Sequence, residues 1–456
     1  MKGYVATPAW VVDLMVAKLF ADGPPAPEAR ILDPGSGRGA FIDGITRWCV
    51  ARGLSLPRIT AVESDPRHAA YLRTRYAAVP AIEIQERDFL TSMVGQYDYI
   101  IGNPPYVGLA GLSEAERSQY RTAFHTAQGR FDLSSLFFEQ SLRVLGPLGR
   151  MVFITPEKFL YVQSAAPLRS LLSEMRVEEL HFLSESTFEK LVTYPIITTL
   201  SRMEGRQTTR VITRQGETTL ATLRGSRSWL PSVQGFATQG SSHTLSDVAM
   251  RISCGVATGA DGVFVVPAAD LDSHLRCFAY PTIAGRDLSG GEISLRKNVM
   301  LLPYTREGDL IPESDLEALG QYLGCPWRRK KLLSRTCVRK KPWYAFHETP
   351  PLADLLRPKL LCKDICAEPF FVADRSGAVI PRHSVYYIVP QEPAQINALA
   401  DYLNSPAAAT WLRAHCQRAA NGFLRLQSHT LKQLPLPADL AIELGASPLT
   451  TTRWAA

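Results

Sequence analysis

The residues best suited to chemistry lie in one short run, Gly102-Asn103-Pro104-Pro105-Tyr106, at the end of an apolar strand-like stretch. Two consecutive prolines fix the backbone, so the Asn103 side-chain oxygen and the Pro104 carbonyl can converge on one amino group, each accepting one N–H. No side chain here is a strong base. The acceptors suit a planar amino nitrogen whose lone pair is delocalised: holding both protons favours pyramidalisation and exposes the lone pair to an electrophile. Tyr106 would stack on the ring that bears the amino group, and an unadorned Pro-Pro turn is the bland alternative.

Three further motifs precede this run. Asp33-Pro34-Gly35-Ser36-Gly37-Arg38-Gly39 has glycines that permit a tight turn and close approach of a ligand to the backbone. Its GxGxG spacing, with the acid on the strand itself, favours a cofactor with an amino-acid end over a dinucleotide, although a structural turn can carry the same glycines. Glu63, ending the second apolar run, is placed to accept both hydroxyl protons of a ribose. Asp88-Phe89 offers an acceptor for an adenine amino group and an aromatic face, as would a surface acid beside a core Phe. Together these motifs point to an adenosine-bearing cofactor.

Those motifs need a scaffold, and the first half of the chain supplies its pattern. Apolar runs at 30–33, 59–62, 82–84, 97–101 and 151–154 read as strands separated by helical spacing, which predicts a parallel, doubly wound α/β sheet. Thr7-Pro8 reads as the cap and first turn of a leading helix with Val12, Met15, Val16 and Leu19 on one face. Asp132 reads as the cap of a crossover helix that Gly146-Pro147 would end. Past about residue 205 the pattern breaks into short strands and turns, with a helical stretch at 393–416. A boundary is expected near 235–245, around Thr238-Gln-Gly-Ser-Ser242, giving domains 1–235 and 236–456.

Composition limits the function classes. With 456 residues, 46% of them hydrophobic and 20% charged, the chain is long enough for two domains. No stretch approaches the roughly 20 apolar residues of a membrane span, and MKGYVATPAW lacks the apolar core of a signal peptide, so a cytoplasmic protein with no membrane partner is expected. The eight cysteines form no paired CxxC units, and no metal is expected. The net charge of +7 is lopsided: residues 1–204 hold 21 Lys+Arg and 22 Asp+Glu, residues 205–456 hold 29 and 21. That suits a near-neutral catalytic unit joined to one that faces a polyanion.

The NPPY run after strand four, the glycine loop after strand one and the Thr-Pro helix in front closely resemble gamma-class amino-methyltransferases of the TaqI type over residues 4–203. The resemblance implies a Rossmann-like methyltransferase sheet, mostly parallel with the last strand antiparallel, followed by a mixed α+β target-recognition domain. It implies S-adenosyl-L-methionine as cofactor, with Thr7 and the loop from Asp33 through Pro34, Gly35 and Gly37 at its methionine end. Glu63 would take its ribose, Asp88 with Phe89 its adenine, and Asn103 would border both cofactor and acceptor. The catalytic set would be Asn103, Pro104, Pro105 and Tyr106, with Phe188 in Glu185-Ser-Thr-Phe188-Glu-Lys as a second aromatic face for an extruded base. A Phe in that position is also compatible with simple core packing. Leu145-Gly-Pro-Leu-Gly-Arg150 departs from the Lys-Pro-Gly-Gly more common in the family, away from the proposed chemistry.

The second half resembles the target-recognition region of such enzymes through the stretch from Ser253-Cys-Gly255 to Phe264, Ala284-Gly285-Arg286-Asp287 and Tyr402-Leu403-Asn404-Ser405-Pro406. Double-stranded DNA is the implied partner, met by a monomer. Arg328, Arg329, Lys330 and Lys331, then Arg339, Lys340, Lys341, Trp343 and Tyr344, interleave basic and aromatic residues as phosphate contact requires, and a solvated helix face is the alternative. Arg425, in Asn421-Gly-Phe-Leu-Arg425, is a further candidate. An N4-cytosine enzyme shares the amino chemistry but its family favours Ser-Pro-Pro. Glutamine-amide methyltransferases share NPPY but place a helical domain before the glycine loop. A binding subunit with a decayed site disagrees with the intact motifs, and no PD…(D/E)xK nuclease pattern stands out, which leaves a restriction endonuclease to a separate chain.

Overall fold

A computed structural model describes residues 3–91, 95–189, 193–202, 208–214, 216–221, 223–235, 243–289, 292–293, 297–419 and 422–447. The linker stretch 238–242, together with Lys190 and Asn421, which the sequence motifs include, lies outside the described residues. The chain divides into two compact units, Met1–Ala237 and Thr238–Ala456. No helix among the described residues is long and apolar enough to cross a membrane.

The first unit is of the α/β class. Its strands are β1 (Arg30–Pro34), β2 (Arg58–Glu63), β3 (Ile82–Glu86), β4 (Tyr97–Gly102), β5 (Leu145–Pro156), β6 (Arg176–Phe182), β7 (Pro195–Ser201), β8 (Thr208–Thr213) and β9 (Gly216–Ala221). They form one sheet in the order β3-β2-β1-β4-β5-β7-β6-β8-β9. The pairs from β3 through β5 are all parallel, as the alternation of apolar runs and helices predicts, because parallel neighbours need a crossover. The order reverses at β1 and β4, so the loops leaving the carboxyl ends of these strands open a crevice there. The glycine loop follows β1, Glu63 ends β2, Asp88 follows β3 and Asn103 follows β4.

Strand β7 runs antiparallel to both β5 and β6 and lies between them. The sheet then continues through β8, parallel to β6, and β9, antiparallel to β8. This extension lies beyond the point where strand–helix alternation fades from the sequence. Strand β8 is Thr208-Thr-Arg-Val-Ile-Thr213, alternately exposed and buried in its first half, so it lacks the continuous apolar run that marks β4 and β5.

Helices α1 (Ala9–Leu19) and α2 (Ala40–Val50) pack on one face with Val11, Val12, Met15 and Val16 against Phe41, Ile42 and Ile45. The N-cap of α1 is Pro8 and no side chain caps it; the Thr7 hydroxyl, expected in that role, is turned instead toward Asn103. Helix α3 (Pro66–Arg75) is capped by Asp65, and α4 (Glu114–Ala123) by a Ser113–Glu116 capping box. Helix α5 (Leu133–Val144) is capped by Asp132, as its sequence predicts. It ends at Val144 because the chain turns directly into β5, whose first residues include Gly146-Pro147.

The second unit is mixed. Ala249–Cys254, Val385–Pro390, Lys359–Lys363 and Val372–Asp374 form an antiparallel sheet, and Val265–Pro267, Asn298–Leu301, Ala279–Ile283 and Ile380–Pro381 a mixed one in which only the last pair is parallel. Asn404-Ser405 splits the 393–416 stretch into two helices, Ile396–Leu403 and Pro406–His415; Ser405 caps the second, and Asn404 exchanges two hydrogen bonds with the Phe371 main chain. Lys359, fully buried, pairs with Asp374 at 2.8 Å, and Asp374 also accepts from the main chain of Gly377 and Val379. A buried pair satisfied this fully holds the strand-to-turn connection in one geometry.

Candidate active site

The carboxyl ends of β1–β4 border a cavity of about 390 Å³. Thr7, Gly35, Asp88, Asn103 and Pro105, all singled out from the sequence, line it. Tyr4, Val5 and Arg38 join them, as do the apolar Leu90, Leu112, Leu133 and Phe137 and the ring of Tyr120.

Asn103 is the most informative wall residue. Its Nδ2 donates to the Val5 carbonyl and to Thr7 Oγ1, each at 3.1 Å. A main-chain carbonyl can only accept, so these bonds fix which end of the amide is nitrogen. The other end, Oδ1, is buried without a hydrogen-bond partner. Leaving an acceptor buried and unpaired costs about 1–3 kcal/mol, so a ligand that donates there recovers that energy. Pro104 is buried beside it in the turn.

The glycine loop is fixed from behind. Glu63, fully buried, accepts from the main-chain N–H of Gly37 at 2.8 Å and of Asp65 at 2.7 Å. Burial raises its pKa, while those two N–H groups pull the other way. Glu63 is not on the cavity wall; its neighbours Ser64 and Asp65 are. The expected ribose carboxylate thus braces the loop, and after β2 it is Asp65 that puts an acid on the wall. Gly37 has φ +57°, and a Cβ on it would lie 2.5 Å from the Tyr4 ring, so the N-terminal segment closes over the loop only because this residue is glycine.

Asp33 and Pro34 end β1 beneath this loop. Both Asp33 carboxylate oxygens are buried without a partner, and the Ser36 hydroxyl beside them donates to the Asp33 main-chain carbonyl instead. Burial, and then the charge on Glu63, push the Asp33 pKa up to about 8. A buried carboxylate in this state fits a cationic group.

One expected contact of the Asp88-Phe89 pair is corrected and the other is kept. Phe89 is 2% exposed and packs into the core against Phe137 at 5.2 Å. It cannot offer a face to a ligand, and Leu90 and Phe137 supply the apolar wall. Asp88 does line the cavity, where Oδ1 also accepts from the Leu90 N–H at 2.9 Å.

Tyr106 and Phe188 are brought together, with ring centroids 6.4 Å apart and planes at 79°. The Tyr106 hydroxyl donates to the Ile154 carbonyl at 3.3 Å, and Phe188 is 5% exposed. An edge-to-face pair leaves no parallel slot, so admitting a flat ring between them requires one ring to turn.

In the second unit the two basic clusters separate by environment. Helix Pro326–Leu333 presents Arg329, Lys330 and Lys331 to solvent, with Trp327 also half exposed. Arg328 lies over Tyr322 at 3.7 Å and donates to the Tyr322 carbonyl, so it is partly committed within the unit. Arg339 and Lys340 are exposed; Lys341 donates to the His347 carbonyl and to Thr349 Oγ1. The Trp343 indole N–H donates to Glu313. Tyr344 is corrected from the contact set: it is 4% exposed and donates to the Ile311 carbonyl. Arg425 is exposed on a short strand between Ile365–Cys366 and Gln417–Arg418.

The N-terminal Gly3-Tyr4-Val5, Leu112 just before α4 and Tyr120 within it carried no sequence signal. A Tyr-Val pair just before a helix looks like any chain start. Helix α4 has one buried residue, Tyr120, and so reads as a solvated helix.

Comparison with known proteins adds three findings. Residues 63–188 match the Eco57I restriction-modification methylase family, and residues 280–436 the TaqI-like C-terminal specificity domain. The type II methyltransferase M.PaeR7I of Pseudomonas aeruginosa is 28% identical over 500 residues, covering 96% of this chain and 86% of that protein. M.XhoI of Xanthomonas vasicola, also a type II methyltransferase, is 25% identical with 90% and 86% covered. The solved structure of the type IIL restriction-modification enzyme MmeI in complex with DNA aligns with a TM-score of 0.64 and 12% identity. It covers 93% of this chain, which spans 65% of MmeI, and the likeness is one of fold.

Proposed function

We propose that this chain, which belongs to the TaqI-like type II restriction-modification DNA methyltransferases, methylates the N6 amino group of an adenine turned out of double-stranded DNA. The observation that carries the reading is the buried, unpartnered Oδ1 of Asn103, held on a Pro-Pro turn by the bonds from its own Nδ2. An exocyclic amino group has two N–H donors and no strong acceptor, which is the complement of that oxygen beside the Pro104 carbonyl. Asn-Pro-Pro, rather than Ser-Pro-Pro, favours adenine over cytosine.

S-adenosyl-L-methionine would supply an electrophilic methyl group on a sulfonium. Residues on the cavity wall and buried behind it fit it: Asp33, beneath the glycine loop, would hold its ammonium, Asp65 its ribose with Glu63 bracing the loop, and Asp88 the amino group of its adenine beside Leu90 and Phe137. Asn103 would orient the acceptor nitrogen and draw on its protons, with no covalent bond to the protein. Tyr106 and Phe188 would hold the extruded base, partly offsetting an unstacking cost of about a few kcal/mol. The first unit is the catalytic domain in this reading and the second recognises the target, with a separately encoded endonuclease as its cellular counterpart. Incubation with methyl-labelled S-adenosyl-L-methionine and unmodified duplex DNA tests it. Label is expected in DNA; label only in protein would overturn the reading.

A further inference from the structure

The second unit holds a cleft, apart from the basic clusters, whose walls come from four separate chain segments: Asp261, Gly285-Arg286, Lys363-Asp364-Ile365 and Arg382-His383-Ser384. We propose that this cleft reads one G·C base pair of the target, Arg286 donating to the guanine and Asp364 accepting from the cytosine amino group. The inference rests on the reading that the second unit recognises DNA.

The cleft is built around Ser384. Its hydroxyl accepts the Gly285 N–H at 3.0 Å, and its carbonyl accepts the Asp364 N–H at 3.1 Å. The turn that carries Arg286 and the turn that carries Asp364 are therefore anchored to the same residue. Both are also fixed on their far sides. Asp287, 8% exposed, accepts the Ala284 N–H at 2.7 Å, and the Asp364 carbonyl accepts the Leu426 N–H at 2.8 Å. Close packing requires glycine at one position and favours it at another: a Cβ on Gly255 would stand only 2.4 Å from the Arg382 carbonyl oxygen, and one on Gly285 3.1 Å from that of Ser384. The two glycine-bearing motifs of the second half are thus the frame of this cleft.

A second observation points to a ligand. Arg382 is 8% exposed, lines the cleft, and its Nε is buried without a hydrogen-bond partner. Its terminal nitrogens reach Asp287 at 3.4 Å and Asp261 at 3.9 Å, so the buried guanidinium is held but not saturated. Arg286 and His383 are exposed at the mouth. Donors and acceptors thus share one rigid concave site. A phosphate site would show cations and main-chain N–H groups alone; a carboxylate amid them repels phosphate. The edge of a G·C pair presents two acceptors on guanine and an amino donor on cytosine, matching a guanidinium and a carboxylate.

The test maps methylated sites on genomic DNA by sequencing for the intact chain and for Arg286→Ala and Asp364→Ala, beside a binding selection from randomised duplexes. Each variant is expected to relax one position of the site, the same position for both, with discrimination there reduced about 10- to 100-fold. Arg286→Lys keeps the charge but loses the two-pronged donor; it should relax that position too, and it serves if an alanine variant fails to fold. An unchanged site, or a loss of binding equal on all sequences with a lower salt slope, would overturn the proposal. A parent chain that selects a site but transfers no methyl group would sink the proposed activity and leave the cleft to be judged on the selection.

Discussion

The Asn103 side-chain nitrogen donates to the hydroxyl of Thr7, 96 residues earlier, at 3.1 Å, and this bond, beside the one to the Val5 carbonyl that sets the amide's orientation, holds the amide oxygen in place. Thr7→Val keeps the shape and removes the acceptor, leaving only the Val5 carbonyl to hold Nδ2. Loss of one such bond is worth about 1 kcal/mol, so transfer should slow about five- to tenfold with little change in melting temperature. Asn103→Ala should lower kcat by about 10²–10³, with cofactor affinity nearly kept. In the double variant the Thr7 change should cost little more; full additivity in a double-mutant cycle would separate the two residues.

Asp33 predicts pH dependence in two opposite senses. With its folded pKa near 8 and an unfolded value of about 4, the free protein holds a proton there that the unfolded chain does not. That contribution to stability is complete below about pH 4 and is lost as pH rises through about 8. Binding an ammonium needs the carboxylate, so affinity for S-adenosylhomocysteine should rise by up to about tenfold per pH unit toward pH 8, then fall as the ligand's own α-amino group deprotonates. Calorimetric titration from pH 6 to 9 measures this, and Asp33→Asn should abolish the rise. A flat profile in the unaltered protein would remove Asp33 from the cofactor site.

The edge-to-face geometry of Tyr106 and Phe188 predicts that base capture requires ring movement. Phe188→Ala should destabilise by about 3–5 kcal/mol because the ring is buried. Phe188→Leu retains apolar volume and should cost less than about 1.5 kcal/mol. It should still lower the fluorescence rise of 2-aminopurine placed at the target base, the signal of an unstacked base. Unchanged fluorescence with Leu would return Phe188 to a purely structural role.

The basic residues should divide by exposure. Replacing Arg329, Lys330, Arg339 or Lys340 should each lower the slope of log affinity against log salt by about 1 if it meets a phosphate. Tyr344→Ala should instead lower the melting temperature and leave the slope unchanged, because the ring is in the core. A slope altered by Tyr344→Ala in a folded protein would contradict its burial.

Much of the first unit was legible in the sequence because buried parallel strands appear as unbroken apolar runs, and parallel topology brings the loops after β1, β2, β3 and β4 to one edge. That is why Asp33, Glu63, Asp88 and Asn103 are neighbours. Their orientations were less legible. Asp88, Phe89 and Leu90 are consecutive, yet only Asp88 and Leu90 reach the wall, a choice made by the packing of Phe137. Glu63 faces the glycine loop rather than the cavity because two N–H groups await it there. In the second unit, Tyr344 sits in a basic run but is claimed by the core through contacts distant in sequence, and Ser384 gave no sign that two turns hang from it.

The central claim is tested most directly by digesting DNA labelled by this protein to nucleosides and identifying the methylated one by mass. N6-methyldeoxyadenosine is the predicted product, and its rate of formation should fall by about 10²–10³ with Asn103→Ala. N4-methyldeoxycytidine in its place, or undiminished methylation by the Asn103 variant, would contradict the account.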